Sequence, residues 1–318
     1  MEADSITILI CTSTSDDLPE RIAAVAPGAR VISREQFRAD ESLIADADVV
    51  LGHLDGRFFP PATRLKWVQG TSAGADWLRR NEVPPHPAVL TKACIHAEPI
   101  SQHLFAMLLM LTRGIDVTHP QQAAGLWKYP GTGCVELLNG KTLCIVGLGT
   151  IGRRCAELGE AFGMDVIGVQ RNPRPAPHVR AVFGQDRLHD ALAQADVVML
   201  LLPLTPRTDG IIGRDAFAAM KDGTYLLNAG RGKTVDTDAL MDALRSGKVK
   251  AAGLDVTDPE PLGADHPLWR IGRVVITPHY SGSCPDYDRR VEDLFLDNLR
   301  RFLAGEPLRH VIDRAEGY

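Results

Sequence analysis

The chain has 318 residues, of which 45% are hydrophobic and 24% are charged. This balance is typical of globular proteins and excludes a disordered, collagenous or coiled-coil chain, while the length favours two domains over one. The 40 acidic residues outnumber the 35 basic ones and give a net charge of −5, which excludes a general attraction to nucleic acid or to anionic membranes. We therefore expect small polar molecules as partners.

The cysteines and the apolar stretches indicate where the protein resides. The six cysteines are scattered without Cys-x-x-Cys spacing, and a chain this long can build its core without disulfides, so we predict reduced thiols in the cytoplasm. The apolar run Ile6–Cys11 is too short for a signal peptide. The longest apolar stretches, Leu104–Leu111 and Val197–Pro203, fall short of the roughly 18–20 residues that cross a bilayer. We predict no membrane segment.

The first third of the chain alternates short apolar runs with helical patterns, which indicates an α/β fold. The elements predicted here are strands at 6–11, 29–32, 48–51, 65–69 and 88–91 and a helix near 17–26. A longer helix follows at 100–113, with apolar residues on most faces, as expected of a helix buried between domains or subunits. The next segment, 120–133, is rich in glycine and proline and predicts a loop.

A more regular series of strands and helices follows this loop. The predicted strands are 142–146, 165–169, 179–183, 196–202, 224–228, 250–255 and 274–277, and the predicted helices are 151–162, 186–194, 214–220 and 236–246. Their continuous Val, Ile and Leu runs predict a parallel sheet buried on both faces, hence a doubly wound domain. A last helix, 286–303, has no partner strand there, so we expect it to pack on the first domain. We therefore predict one domain at 98–285 and another formed by 1–97 and 286–318.

A glycine-rich turn connects the first strand of this series to its first helix. Gly147, Gly149 and Gly152 form a Gly-x-Gly-x-x-Gly motif, which is weak evidence alone but strong evidence between a strand and a helix. The first glycine allows a tight turn, the second lets the backbone approach a pyrophosphate, and the third lets helix and strand pack closely. We predict a dinucleotide site at this turn, with Thr150 and Ile151 contacting the cofactor.

The end of the second strand in the series bears on the choice of dinucleotide. Gln170 stands 18 residues after Gly152, where NAD-binding domains place an acidic residue on the ribose 2′-hydroxyl. Arg171 and Arg174 follow, and their guanidinium groups suit the 2′-phosphate of NADP. We therefore expect NADP(H) to be preferred over NAD(H). The alternative is a pair of solvated surface arginines.

Three further segments stand at or directly after predicted strand ends, where ligands bind in open α/β sheets. They are Asn228–Gly232, Gly253–Leu262 and Thr277–Gly282. Together with the dinucleotide turn, they make nearly the whole chain resemble the D-isomer-specific 2-hydroxyacid dehydrogenases, which include glyoxylate/hydroxypyruvate reductases and phosphoglycerate dehydrogenases. The resemblance implies a Rossmann cofactor domain inserted in a smaller, flavodoxin-like substrate domain, with the active site in the cleft between them.

The resemblance assigns three catalytic residues, and the chemistry of 2-oxo acid reduction supports each of them. Reduction needs an anchor for the carboxylate, polarisation of the carbonyl group and a proton for its oxygen. Arg231 is always charged and can grip the carboxylate and oxo oxygens. His279 can donate the proton near neutral pH, and Glu260 would hold its ring by a hydrogen bond. The position of each of these three residues, considered alone, is also compatible with a solvated loop residue that has no catalytic role.

The resemblance also implies further cofactor and substrate contacts. The expected cofactor contacts are Leu202, Pro203, Thr208, Ala229, Gly230 and Asp255. Ser72, Ala73 and Gly74 follow a strand of the first domain and resemble the family loop whose backbone N–H groups bind the substrate carboxylate, beside Arg231 and His279. The alternative for the residues after the strands is an ordinary strand end without a ligand. The alternative for Ser72–Gly74 is an ordinary turn between a strand and a helix, capped by Ser72. No His-x-x-His, Cys-x-x-Cys or acidic cluster indicates a metal site.

The resulting interpretation is a cytosolic, NADP-preferring 2-oxo acid reductase. The resemblance further implies a homodimer built through the long-helix region of the cofactor domain. Two alternatives stay open: a nicotinamide-sensing, corepressor-like binding protein on the same scaffold, and a phosphoglycerate-type NAD dehydrogenase. His53, His96 and His103 are interpreted as structural. Trp127 and Tyr280 are aromatic residues that could shape the substrate pocket, but each is more often a packing residue.

Overall fold

The structure is a computed structural model that describes residues 6–316. Residues 1–5 and 317–318, at the two ends of the predicted substrate domain, lie outside the described residues. The strands are β1 (Thr7–Ile10), β2 (Arg30–Ile32), β3 (Val49–Leu51), β4 (Trp67–Gln69), β5 (Val89–Thr91), β6 (Thr142–Val146), β7 (Asp165–Val169), β8 (Ala181–Phe183), β9 (Val197–Leu200), β10 (Thr224–Asn228), β11 (Val249–Leu254) and β12 (Val274–Ile276).

Helices connect these strands. The α-helices are α1 (Leu18–Val25), α2 (Arg34–Ala39), α3 (Trp77–Arg80), α4 (Ala97–Thr112), α5 (Ile115–Ala123), α6 (Thr150–Ala161), α7 (Leu188–Leu192), α8 (Arg214–Ala219), α9 (Thr237–Ser246) and α10 (Tyr287–Ala304). Short 3₁₀ helices lie at Glu41–Asp46, Gly56–Phe58, Thr132–Cys134, Gln185–Arg187, Gly232–Thr234 and Pro267–Arg270. Helices on both faces of parallel sheets are the architecture that the sequence predicts.

Contacts divide the chain into two units. Unit 1 comprises Met1–Ile95 and Cys284–Tyr318, and unit 2 comprises His96–Ser283. Both limits lie two residues before the predicted domain boundaries. The assignment of the units to substrate and cofactor binding stays a prediction at this point.

Unit 1 is built on a five-stranded parallel sheet with the strand order β2-β1-β3-β4-β5. This is the strand order of flavodoxin-like sheets. One face packs against α1 and α10, where Phe295 stacks on Trp67 with ring centroids 5.2 Å apart. The other face packs against Phe37 of α2 and Trp77 of α3. The C-terminal helix α10 is therefore part of the core of this unit.

Unit 2 is built on a seven-stranded parallel sheet with the order β12-β11-β10-β9-β6-β7-β8. Neighbouring residues of β6 face opposite cores, since Cys144 belongs to one buried cluster and Ile145 to the other. The chain runs outward from β6 through β7 and β8 and then returns to β9 on the other side of β6. Ligands of open α/β sheets bind outside the carboxyl ends of strands at such a reversal. The predicted fold class, with a doubly wound sheet and a second α/β sheet, is confirmed.

One predicted loop is partly helical. Pro120 was expected in a loop, but it lies inside α5, which runs from Ile115 to Ala123. The first turn of α5 is held by an ion pair, with Asp116 Oδ2 lying 2.7 Å from Arg273 Nε. Proline removes one helical N–H donor, and since α5 has no buried residue, the carbonyl group that loses its intrahelical partner can be hydrated. The helix therefore continues through Pro120.

Three further observations concern membrane-spanning helices, cysteines and metal-binding groups. No helix within residues 6–316 is both long enough and apolar enough to cross a membrane. All six cysteines are free thiols. Within the same residues, no group of three or more His, Cys, Asp or Glu side chains is arranged to hold a metal ion.

Candidate active site

The glycine-rich turn of unit 2 lies between β6 and α6, as the motif predicts. Gly147 has a φ of +112°, and a Cβ there would lie 2.7 Å from the Leu201 carbonyl oxygen, so this position requires glycine. A Cβ on Gly152 would lie 2.1 Å from the Gly147 carbonyl oxygen. A Cβ on Gly149 would meet nothing within 4 Å. Gly147 and Gly152 thus shape the turn, whereas Gly149 borders open space.

This turn fits a dinucleotide pyrophosphate. Helix α6 begins at Thr150 with neither a side-chain cap nor an acidic residue in its first turn. The N–H groups at a helix start and the helix dipole both favour an anion. Thr150 is exposed and Ile151 half-buried, and their contact with the cofactor stays a prediction. The open space beside Gly149 is the room that an approaching phosphate needs.

The residues expected to choose between NADP and NAD follow β7. Gln170 Nε2 donates a hydrogen bond to the Arg174 carbonyl oxygen at 3.2 Å, which closes the loop after the strand. The side chains of Arg171 and Arg174 are exposed. Their part in cofactor choice stays a prediction.

The ends of β9 and β10 approach each other closely. A Cβ on Gly230 would lie 2.7 Å from the Leu202 carbonyl oxygen, so glycine allows this contact. Thr208 is buried, and its Oγ1 donates to the Pro203 carbonyl oxygen at 2.6 Å. Ala229 is buried beneath the same edge. The predicted cofactor contacts after these two strands therefore occupy one edge of the sheet.

Arg231 follows β10 and has a well-anchored backbone. Its carbonyl oxygen accepts hydrogen bonds from Asn228 Nδ2 at 3.1 Å and from Thr234 Oγ1 at 2.6 Å. Its Nη1 donates to the Gly230 carbonyl oxygen at 2.7 Å. The buried amide of Asn228 also accepts a bond from the Gly230 N–H. A charged side chain held at a rigid turn can orient an anion with little loss of entropy.

Glu260 and His279 form a hydrogen-bonded pair. His279 Nδ1 lies 2.5 Å from Glu260 Oε1, and the two side chains are 48% and 41% exposed, so both are accessible to a ligand. A carboxylate accepts hydrogen bonds, so Nδ1 carries a hydrogen and Nε2 is the atom that exchanges a proton with a substrate. Glu260 follows β11 and His279 follows β12, and these strands are neighbours in the sheet. The pairing predicted by the resemblance is therefore present.

Asp255 lies at the end of β11 and is fully buried. Its Oδ1 accepts hydrogen bonds from Thr277 Oγ1 at 2.6 Å and from the Tyr280 N–H at 3.1 Å. Its Oδ2 accepts the Ser281 N–H at 3.0 Å. Asp255 thus holds the segment that carries His279, a role that the sequence analysis did not identify. Its predicted contact with the nicotinamide end of the cofactor stays a prediction.

Two residues hold this site through contacts that the sequence analysis did not predict. Thr277 precedes the predicted histidine by two positions, and its place directly after a strand was the available signal. His103 was interpreted as structural, and its Nε2 lies 2.9 Å from Thr277 Oγ1. No signal in the sequence connects these two residues. Trp127, considered for the substrate pocket, has a fully exposed side chain.

In unit 1, the loop after β4 contains Ser72, Ala73 and Gly74. Ser72 Oγ donates to the Gly74 carbonyl oxygen at 2.9 Å. His53 Nε2 accepts the Thr71 N–H at 3.3 Å and lies 3.2 Å from Ser72 Oγ. The His53 ring also stacks on the Trp77 ring, with centroids 4.9 Å apart. His53 therefore supports this loop as a neutral imidazole, whose Nε2 accepts a hydrogen bond from the loop backbone.

The burial of His53 predicts a specific pH dependence of stability. Burial, aided by the charge of Arg80, lowers the pKa of His53 to about 4. In the unfolded chain its pKa is about 6.5, so the unfolded state binds more protons between these values. The free energy of unfolding should fall by about 2–3 kcal/mol from this group as the pH drops from 7 to 4.

Urea unfolding followed by circular dichroism across this pH range tests the prediction. His53→Gln keeps an acceptor but does not titrate, so its unfolding free energy should lack this component. His189→Gln, on the exposed surface of unit 2, is the matched control and should follow the wild type. Parallel pH curves for wild type and His53→Gln would contradict the prediction.

Comparisons with known proteins show which proteins this chain is similar to. The family model described as "D-isomer specific 2-hydroxyacid dehydrogenase, NAD binding domain" matches residues 105–281. A hydroxypyruvate reductase of Blautia hydrogenotrophica is 40% identical over 185 residues, which are 57% of this chain and 55% of that protein. A D-3-phosphoglycerate dehydrogenase of Mycobacterium leprae is 35% identical over 271 residues, which are 84% of this chain and 50% of that protein. The chain thus spans about half the length of these two relatives.

A solved structure matches over the full length. It is a D-isomer specific 2-hydroxyacid dehydrogenase from Xanthobacter autotrophicus Py2 in complex with NADPH and MES. It is 28% identical, superposes with a TM-score of 0.84, and the match covers 99% of this chain and 100% of that one.

Proposed function

Because this chain belongs to the D-isomer-specific 2-hydroxyacid dehydrogenase family, we propose that it transfers a hydride between NADP(H) and a small 2-oxo acid/D-2-hydroxy acid pair. We propose that it works as a 2-oxo acid reductase of the glyoxylate or hydroxypyruvate type. The observation that carries the proposal is the bond of 2.5 Å between His279 Nδ1 and Glu260 Oε1. An accessible histidine held by a carboxylate is suited to general acid catalysis.

The proposal gives each of the three residues one role. When bound, the cofactor supplies the hydride that reaches the carbonyl carbon of the 2-oxo acid. Arg231 grips the carboxylate and oxo oxygens and so orients the carbonyl group. His279 donates the proton from Nε2 to the oxygen that becomes the hydroxyl. Glu260 keeps the hydrogen bond to Nδ1 throughout, which fixes the ring and compensates its positive charge before the transfer.

Two further groups of contacts belong to this proposal. In unit 2, the turn at Gly147–Gly152 and the strand ends at Leu202–Thr208 and Ala229–Gly230 bind the cofactor. In unit 1, the backbone N–H groups of Ser72–Gly74 bind a carboxylate, because successive amides in a turn form an anion site. The internal bond from Ser72 Oγ to the Gly74 carbonyl oxygen supports the shape of that turn.

A panel of 2-oxo acids tests the function. Glyoxylate, hydroxypyruvate, pyruvate, phenylpyruvate and 3-phosphohydroxypyruvate are offered with NADPH and with NADH, and cofactor oxidation is followed by absorbance. Glyoxylate or hydroxypyruvate should give the highest kcat/KM. If 3-phosphohydroxypyruvate with NADH is best, the chain is a phosphoglycerate-type dehydrogenase, as the relative from Mycobacterium leprae is named. Absence of turnover with the whole panel would contradict the proposal.

The exposed arginines predict the cofactor preference. NADPH should exceed NADH in kcat/KM by roughly 10- to 100-fold, because hydrogen bonds to charged groups contribute about 1.5–3 kcal/mol. Arg171→Ala should remove most of this preference, whereas Arg214→Ala, an exposed arginine on α8, should leave it intact. Equal use of both cofactors, or a preference for NADH that persists in Arg171→Ala, would show that this loop does not read the 2′-phosphate.

We also propose a homodimer built through the α4–α5 region. The segment after α4 exposes several large apolar side chains, namely Ile115, Leu126, Trp127, Tyr129 and Leu137. Exposed apolar side chains concentrated in one segment are suited to cover a partner surface. Light scattering should therefore give twice the chain mass of 34.6 kDa. Trp127→Ser with Tyr129→Ser should weaken the dimer, whereas Trp269→Ser, exposed elsewhere in unit 2, should not. A monomeric wild type would overturn this part.

For location, we propose the cytosol. The six free cysteines support this, because disulfides are frequent in proteins of oxidising compartments and rare in the cytosol.

A further inference from the structure

A chain of hydrogen bonds in unit 2 leads from α4 to the segment that carries His279. His103 Nε2 lies 2.9 Å from Thr277 Oγ1, which lies 2.6 Å from Asp255 Oδ1. The threonine hydroxyl has one hydrogen, and it gives this hydrogen to the carboxyl oxygen. Thr277 Oγ1 must therefore accept the hydrogen bond from His103, so that His103 Nε2 is a donor. The direction of every bond in the chain is thus determined.

The far end of this chain holds the backbone beside His279. Asp255 accepts the N–H groups of Tyr280 and Ser281, and the Asp255 carbonyl oxygen accepts the His279 N–H at 2.9 Å. His279 itself has a φ of +52°. A non-glycine residue in this left-handed region is strained and persists only where its neighbours hold it. The hydrogen bonds of Asp255 supply that restraint on both sides of the strained residue.

His103 also contacts the segment directly. Its ring meets the Tyr280 ring edge to face, with centroids 5.0 Å apart and planes at 84°. The His103 side chain is 15% exposed, so its hydrogen bond is largely shielded from water, where such bonds are stronger. Helix α4, which carries His103, packs against β11 and β10 of the same sheet. The donor is therefore anchored on a rigid element.

From these contacts we propose that His103 is a positioning residue for the reaction. Through Thr277 and Asp255 it keeps the strained His279 backbone in the conformation that places Nε2 for proton transfer, without touching the substrate itself. This rests on the proposed function, in which His279 donates the proton. His103 should therefore affect the rate of the chemical step, and not the binding of NADPH or of the 2-oxo acid.

Three variants test this role. His103→Leu removes the donor, His103→Gln keeps an N–H group near the same place, and Thr277→Val breaks the same chain at its second member. His103→Leu and Thr277→Val should each lower kcat about tenfold, the effect expected from losing one hydrogen bond of this chain. His103→Gln should stay within about threefold of the wild type. For His103→Leu and His103→Gln, KM and the Kd for NADPH should stay within about twofold of the wild-type values and the unfolding midpoint within about 2 °C. Thr277→Val should also lower the midpoint, because it removes a hydrogen bond from the buried carboxylate of Asp255. Gln102→Leu, the exposed neighbour on α4, is the control and should leave all of them unchanged.

Hydrogen exchange provides a readout that does not depend on activity. The Tyr280 and Ser281 amides are protected by Asp255, so mass spectrometry of a peptide spanning 277–283 should show about tenfold faster exchange in His103→Leu than in the wild type. The double variant His103→Leu/Thr277→Val should be no worse than either single one, because both break one chain.

Each outcome has a separate meaning. Wild-type kcat and exchange in His103→Leu, or a parallel loss of kcat, NADPH binding and stability, would overturn the positioning role. If His103→Leu does not fold, Thr277→Val and His103→Gln decide by the same measurements. If His279→Gln remains active, the proposed function fails, while the exchange rates still report whether His103 holds the segment.

Discussion

Replacement of His279 by glutamine should lower kcat for 2-oxo acid reduction by roughly 10²–10⁴, the range typical of general acid–base catalysis. Glutamine can keep a hydrogen bond to Glu260, so the local structure should survive, but an amide cannot donate a proton as imidazolium does. The Kd for NADPH, measured by fluorescence titration, should stay near that of the wild type. The loss should therefore appear in turnover and not in cofactor binding.

Two companion variants make this result specific to the pair. Glu260→Gln keeps a hydrogen-bond acceptor beside Nδ1 but removes the negative charge, so its kcat should lie between those of the wild type and His279→Gln. His189→Gln, an exposed histidine on α7, should behave as the wild type. Near wild-type kcat in His279→Gln would mean that another group carries the proton.

Alanine at Gly152 should both destabilise unit 2 and abolish NADPH binding. Its Cβ would lie 2.1 Å from the Gly147 carbonyl oxygen and 3.1 Å from the Gly147 carbonyl carbon, and both are backbone atoms that cannot rotate away. Helix α6 would have to shift from β6, at a cost of about 1–3 kcal/mol or more, as for other overpacked sites. Urea unfolding and fluorescence titration with NADPH measure the two effects.

Alanine at Gly149 separates ligand binding from stability. Gly149 has a φ of −73°, which alanine adopts readily, and its Cβ would meet nothing within 4 Å. The unfolding free energy should therefore change by less than about 0.5 kcal/mol. The added methyl group would occupy the space through which the pyrophosphate approaches, so NADPH affinity should fall at least tenfold. Unchanged affinity in Gly149→Ala would show that the pyrophosphate does not lie at this turn.

The sequence by itself determined the local structure of several segments. The strands at 142–146, 165–169 and 224–228 were predicted to the residue, because a strand buried on both faces must be apolar in its interior. The glycine turn was predictable for a similar reason. The contact that requires Gly152 lies within the motif, at the Gly147 carbonyl oxygen, so the motif itself carries that information. Gly147 also approaches the Leu201 carbonyl oxygen after β9, and that contact depends on the fold.

Only the tertiary structure decided the contacts between distant segments. Proline predicted a loop at 120, yet α5 continues through it, because an exposed helix tolerates an unpaired carbonyl group. His103 is hydrogen-bonded to Thr277, which is 174 residues away in the chain. The sequence around a histidine on an apolar helix does not indicate its hydrogen-bond partner. The family resemblance implied the pairing of Glu260 and His279, but its physical reason lies in the fold: the two meet because β11 and β12 are neighbours. Strand order places such side chains together, and it is set by the packing of the whole sheet, which no local pattern encodes.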